Sequence, residues 1–161
     1  VSEKVSYLID SLQIPVGFHA HNNLGMGIAN SIVAVEAGAA IVDGCARGFG
    51  AGAGNAQLEV LVAVLERMGY QTGIDLYKIL DASDIAEDFL MEIMPSINSI
   101  SLVSGLSGVF AGFLKPVNRA AKEFSVDPRD LFFKLGQRKV VAGQEDIIIE
   151  VAKLLSKETK N

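Results

Sequence analysis

At 161 residues the chain has the length of one ordinary domain and falls short of a complete large barrel, while half its residues are hydrophobic, enough to build a core. A net charge of −5 and a pI near 5.0 leave no basic patch to follow a phosphate backbone, which excludes nucleic acid as the main partner. The single cysteine, Cys45, excludes an internal disulfide framework and points to a reducing, cytoplasmic location, and neither a signal-like leader nor an apolar run of roughly 18 residues is visible, so no membrane partner is expected.

In chain order, Val1 to Leu12 reads as the tail of an amphipathic helix, with Val5, Leu8, Ile9 and Leu12 at helical spacing and no cap before it. Ile14 to Phe18 reads as a short buried strand that ends in His19-Ala20-His21. Asn22 and Asn23 form a plausible cap region, Leu24 to Ala37 returns to the helical period, and Gly38 is placed to end that helix. Ile41 to Cys45 is the next strand. Residues 14 to 45 therefore form a strand, helix, strand unit, and its short connections imply parallel strands joined by a right-handed crossover.

A loop with alternating glycines, Gly48-Phe49-Gly50-Ala51-Gly52-Ala53-Gly54-Asn55, follows the second strand and leads into a helix from about Gln57 to Met68. From Gly69 the character changes. Asp75 to Met94 reads as a helix stopped by Pro95, and Ser96 to Ser101 as a joint. Leu102 to Phe124 carries Gly105, Gly108 and Gly112 among apolar residues, which suggests close helix packing. Asp127-Pro128 starts a helix that ends near Gly136, the basic Gln137-Arg138-Lys139 is a solvated surface, and a last helix runs from about Gln144 to Leu155 before a fraying tail, Lys157 to Asn161. The chain thus divides into a βαβα piece, residues 1–69, and a helical piece, residues 70–161.

The chemistry concentrates at the two histidines. Residues i and i+2 of a strand share a face, so His19 and His21 aim their imidazoles at a common point, as metal ligands do. The alternative is a pair of polar residues that simply ends a strand. The glycine loop is neither a Walker sequence nor Gly-x-Gly-x-x-Gly; it lets backbone approach a ligand, or it is only a flexible turn. Both features fall at the C-terminal ends of adjacent parallel strands, the edge where α/β proteins build active sites.

Three stretches carry a family resemblance: Val16 to Leu24, Ala29 to Gly38, and Gly50 to Ala56 followed by Leu58-Glu59, continued by Asp75-Leu76-Tyr77 and Gly143-Gln144-Glu145-Asp146. Together they resemble the back end of the 4-hydroxy-2-oxovalerate aldolases, metal-dependent TIM barrels like HMG-CoA lyase. The resemblance implies an α/β fold, the C-terminal portion of a TIM (β/α)8 barrel followed by a mostly helical domain. It further implies retro-aldol cleavage of a small 2-oxo acid to pyruvate and acetaldehyde. A divalent ion, Mn2+ first and Mg2+ or Co2+ next, would be held by His19, His21 and an upstream aspartate, and would stabilise enolate charge as a Lewis acid. Asn55 and Phe110 are the substrate-pocket residues so implied. The helical tail from about Leu102 would dock an acylating acetaldehyde dehydrogenase.

The sequence departs from the family in two ways. The aspartate ligand, a supporting arginine and a histidine base belong to a front half that these residues do not include, so no catalytic residue is assigned here and the fragment alone is expected to be inactive. Where the family has Gly-Val-Tyr, this chain has Gly108-Val109-Phe110, which keeps the ring and loses a hydroxyl. The competing functions are a related condensing enzyme of the isopropylmalate-synthase type and a protein-docking module without chemistry of its own. Two strands by themselves are expected to leave flanks uncovered.

Overall fold

A computed structural model of the chain describes residues 1–158. It comprises two compact units, Val1–Ser96 and Ile97–Asn161. The change of character at Gly69 falls within the first of these compact units. The helix beyond it packs against the preceding helix and against the turn at Ala46–Gly48.

In the first unit, α1 (Ser2–Ser11) is followed by β1 (Gly17–His19), α2 (Gly27–Glu36) and β2 (Ile41–Asp43). Then come the 3-10 turn Ala46–Gly48, α3 (Leu58–Arg67) and α4 (Leu76–Leu90). β1 and β2 pair in parallel, with Gly17 opposite Ile41, Phe18 opposite Val42 and His19 opposite Asp43. The parallel strand, helix, strand unit expected from the sequence is thus present.

Its details differ from the sequence reading. β1 begins after Pro15, which lacks an N–H for the ladder, and it runs through His19 instead of stopping at Phe18. It is not a buried strand. Phe18 and Val42 turn inward, while Ile14 is 67% and Ile41 60% exposed. The uncovered flank expected of two isolated strands is what these values describe. α2 starts at Gly27 because residues 22–25 form a turn first, closed by Gly25 N–H donating to the Asn22 carbonyl at 2.9 Å. The Asn22 side chain then accepts the Gly27 N–H at 3.0 Å, while the N-cap position itself is Met26, which makes no side-chain cap bond. α4 is capped by Asp75, whose side chain accepts the Lys78 N–H, and it ends at Leu90 on an extended Met91, so Pro95 lies beyond the end and does not stop it.

The second unit is helical: α5 (Ser99–Ser107), a 3-10 turn at Ala111–Phe113, α6 (Leu114–Phe124), α7 (Pro128–Gln137) and α8 (Glu145–Glu158). Asn98 and Ser101 form a reciprocal capping box, so part of the expected joint is the start of α5. The continuous segment expected from Leu102 is broken at Gly108, which adopts the left-handed conformation as the C-cap of α5. That glycine is a helix stop with open space around it, not a packing contact. Close packing occurs at Gly112, where a Cβ would meet the Phe110 ring, and at Gly136, where it would meet the backbone of Ser107. Phe113, Val117, Leu131, Phe132, Leu135, Ile148 and Val151 are fully buried in one cluster. Lys157 and Glu158 continue α8, and the rest of the expected fraying tail lies outside the described residues.

Among the described residues, no helix is long and apolar enough to cross a membrane.

Candidate metal centre

His19 is the last residue of β1 and stands level with Asp43, the last residue of β2, because the parallel register pairs them. Its Nδ1 forms a short contact with Asp43 Oδ1. His21 lies past the strand and is held by a bridge to Asn55, supported by the Asn22 N–H donating to the Gly54 carbonyl at 2.8 Å. The two imidazole centroids are 5.2 Å apart with their planes at 84°. The two rings of His-x-His are thus close and edge-to-face, although only His19 is on the strand.

The glycine loop supplies the third member. Its path includes three glycines with positive φ, Gly48 at 69°, Gly52 at 69° and Gly54 at 81°. A Cβ on Gly54 would strike the Gly48 carbonyl, so this crossing excludes any side chain. Within the crossing, Asn55 N–H donates to the Gly48 carbonyl at 2.9 Å. The Asn55 amide group donates from Nδ2 to the Phe49 carbonyl at 3.0 Å and to Cys45 Sγ at 3.3 Å. With both donor directions used, its Oδ1 is turned toward His19 Nε2 at 3.2 Å. Asn23 secures the loop from the other side, accepting the Ala53 N–H at 3.1 Å.

This network sets the chemistry. If Nδ1 of His19 carries the proton that faces Asp43, then Nε2 presents a lone pair to Asn55 Oδ1, which is also an electron-pair donor. Two such atoms face one another stably only with a proton or a cation between them. His21 is held below its ordinary pKa by partial shielding from solvent and then by the neighbouring His19, which favours the neutral, ligating form. The donor set of two imidazoles and one amide oxygen, with a carboxylate behind one imidazole, fits a divalent ion of intermediate softness. No group of three or more His, Cys, Asp or Glu suited to a metal occurs among the described residues, so the set is a partial one.

Of the residues expected from the sequence, His19, His21 and Asn55 are brought together. Phe110 belongs to the second unit, where it is half exposed and packs edge-to-face on Phe113 at 6.0 Å. Asp43 and Cys45 are absent from the sequence-based set. Asp43 carried a signal: a carboxylate ending the second of two parallel strands sits beside the residue ending the first.

A parallel βαβ unit with imidazole, amide and carboxylate groups gathered at its strand ends places the first unit in the α/β class. The chain belongs to the HMGL-like family, whose model matches residues 1–86, and a DmpG-like communication domain matches residues 95–157. It is 65% identical over its whole length to a 4-hydroxy-2-oxovalerate aldolase of Pectobacterium atrosepticum, covering 47% of that protein. It is 66% identical over 95% of its length to the enzyme of that name from Spirochaeta aurantia, covering 45% of it. The chain thus spans about half the length of the relatives it matches. In fold it resembles the carboxyl transferase domain of Rhizobium etli pyruvate carboxylase, at a TM-score of 0.76 and 17% identity over 98% of this chain and 29% of that one.

Proposed function

We propose that this chain is the metal-site portion of an aldolase that cleaves 4-hydroxy-2-oxovalerate to pyruvate and acetaldehyde, built on the last strands of a TIM barrel and followed by a helical docking domain. The observation that supports this reading is the proximity of the His19 ring to that of His21 and of its Nε2 to Asn55 Oδ1, in a chain 65% identical to an aldolase of that name. Residues 1–69 would supply the barrel strands and residues 70–161 the helical remainder.

In this reading His19 and His21 hold a divalent ion through neutral ring nitrogens. Asp43 fixes the tautomer and direction of His19 from behind. Asn55 offers its amide oxygen to the ion or to the substrate, and the Phe49 carbonyl and Cys45 Sγ keep the amide from rotating. When bound, the ion, Mn2+ in preference to Mg2+ or Co2+, would supply Lewis-acid polarisation of the 2-oxo group. With both histidines of the sequence used as ligands, the base that takes the 4-hydroxyl proton is sought outside these 161 residues, as are the carboxylate ligand and the supporting arginine.

Phe110 would line the substrate pocket with a ring that cannot donate a hydrogen bond, loosening control over the stereochemistry at C4. The second unit would contact an acylating acetaldehyde dehydrogenase. In support, α5 leaves Leu102 and Leu106 exposed, and the communication-domain match covers it.

The test is metal content after dialysis against Mn2+, by mass spectrometry, in the longest protein that carries this chain. His19→Ala and Asn55→Ala should each lower bound manganese at least tenfold, with pyruvate release falling in parallel. Unchanged metal content in His19→Ala would remove the proposed site.

A further inference from the structure

Arg47 lies in the 3-10 turn between β2 and the glycine loop and adopts a left-handed conformation, with φ 50° and ψ 18°. A residue with a Cβ is disfavoured there and persists only where its surroundings hold it. They do so on several sides. Its backbone N–H donates to Glu59 Oε2 at 3.2 Å. Its guanidinium lies 3.7 Å from Glu59 Oε1, 2.9 Å from Glu87 Oε2, and in short contact with Asp84 Oδ1. Glu59 is only 3% exposed, and its Oε2 also accepts from Ser83 Oγ at 3.1 Å. One arginine thus ties the turn to α3 through Glu59 and to α4 through Asp84 and Glu87. α4 packs against this turn.

The position of the tie gives it a consequence. The residue after Arg47 is Gly48, whose carbonyl accepts the Asn55 N–H at 2.9 Å, and Asn55 Oδ1 faces His19 Nε2 at 3.2 Å. The backbone from Arg47 to Asn55 is therefore a short hydrogen-bonded path from the ion pairs to the imidazole. The loop has no buried large side chain to hold it, since Phe49 is exposed and the remaining members are glycine, alanine and asparagine.

We propose that Arg47 is a positioning residue: clamped to α3 and α4 by Glu59, Asp84 and Glu87, it holds the glycine loop so that Asn55 meets His19. Its chemical role matters only if the reading under Proposed function is right, but the placement of Asn55 does not depend on that reading and can be measured without metal.

The experiment is metal-free NMR of the full chain, with hydrogen exchange at the Asn55 amide and the ring 15N shifts of His19 as readouts. Arg47→Ala should speed Asn55 exchange at least tenfold and move the His19 ring shifts, with the amides of α7 and α8 unchanged. Arg47→Gly separates the two possible roles. It relieves the left-handed strain and lacks the guanidinium, so it should behave like Arg47→Ala; wild-type exchange and shifts in Arg47→Gly would overturn the proposal. Should Arg47→Ala unfold the first unit, the Asp84→Asn/Glu87→Gln double variant, which changes only exposed partners on α4, takes its place. It should speed Asn55 exchange about threefold and shift His19 in the same direction, and no change in either would overturn the proposal. Should the positioning hold while His19→Ala leaves manganese content unchanged, the clamp stands and the metal reading falls.

Discussion

The helical unit is built around one large apolar cluster, whereas the strand unit has a smaller one and gathers its polar site residues at the ends of two short strands. In the former, Phe113, Phe132, Leu135 and Ile148 are sealed from water within one cluster. In the latter, the cluster around β1 comprises Val5, Val16 and Ala34, with Ile9, Phe18 and Val42 partly buried against it. The difference separates two kinds of vulnerability. Packing governs whether the helical unit folds, because lost contacts there cannot be replaced. Polar geometry governs what the strand unit can bind, because its site residues are placed by directional bonds to backbone and to one another.

Three changes test this contrast, in falling order of effect. Phe132→Ala empties the middle of the helical cluster and should cost about 3–5 kcal/mol, read as a lower urea midpoint for the helical unit. His19 ring shifts should not follow it, and a parallel change there would mean that the units are not energetically separate. Asn98→Ala removes the side chain that accepts the Ile100 and Ser101 N–H groups, each at 3.0 Å, and should cost ~1 kcal/mol in the same titration. A neutral result would show that the capping box contributes nothing to α5.

The smallest effect is electrostatic. Asp127 caps α7, accepts the Arg129 N–H at 2.8 Å, and is held at about 2, below its ordinary 3.8, chiefly by the Arg129 side chain. Because the folded value is the depressed one, the contribution is complete above pH 3.8 and is lost as pH falls through about 2. The pair is close to the surface and screened, so only a shallow slope is expected between those limits. In Asp127→Asn, which keeps a cap without the charge, acid unfolding curves should lose that slope. An unchanged slope would assign it to other carboxylates.

Much of this was readable residue by residue. The helical spacing of Leu131 and Leu135, the Asp127-Pro128 start, and the parallel pairing of two short strands all follow from local pattern and connection length. His-x-His at a strand end singled out His19 and His21, because i and i+2 share a face, whereas Asn55 was implied by the family resemblance. Element ends were less legible. β1 was displaced along the chain by Pro15, and α2 was delayed by a turn that the Gly25 N–H closes on the Asn22 carbonyl. Gly108 looked like a packing residue in its apolar setting and is a helix cap, a distinction made by its φ of 67° alone.

Sequence by itself determined the family and the succession from a strand, helix, strand piece to helices, and it singled out His19 and His21, because periodicity, turn residues and short motifs are local properties. Tertiary structure decided which atoms face which. Asp43 reaches His19 through strand register, and Asn55 through a crossing that no residue with a Cβ at Gly54 could make. Arg47 is tied to Asp84 and Glu87 by a helix that begins well beyond it in the chain. Such pairs are set by backbone paths and packing across long separations, which no local pattern records.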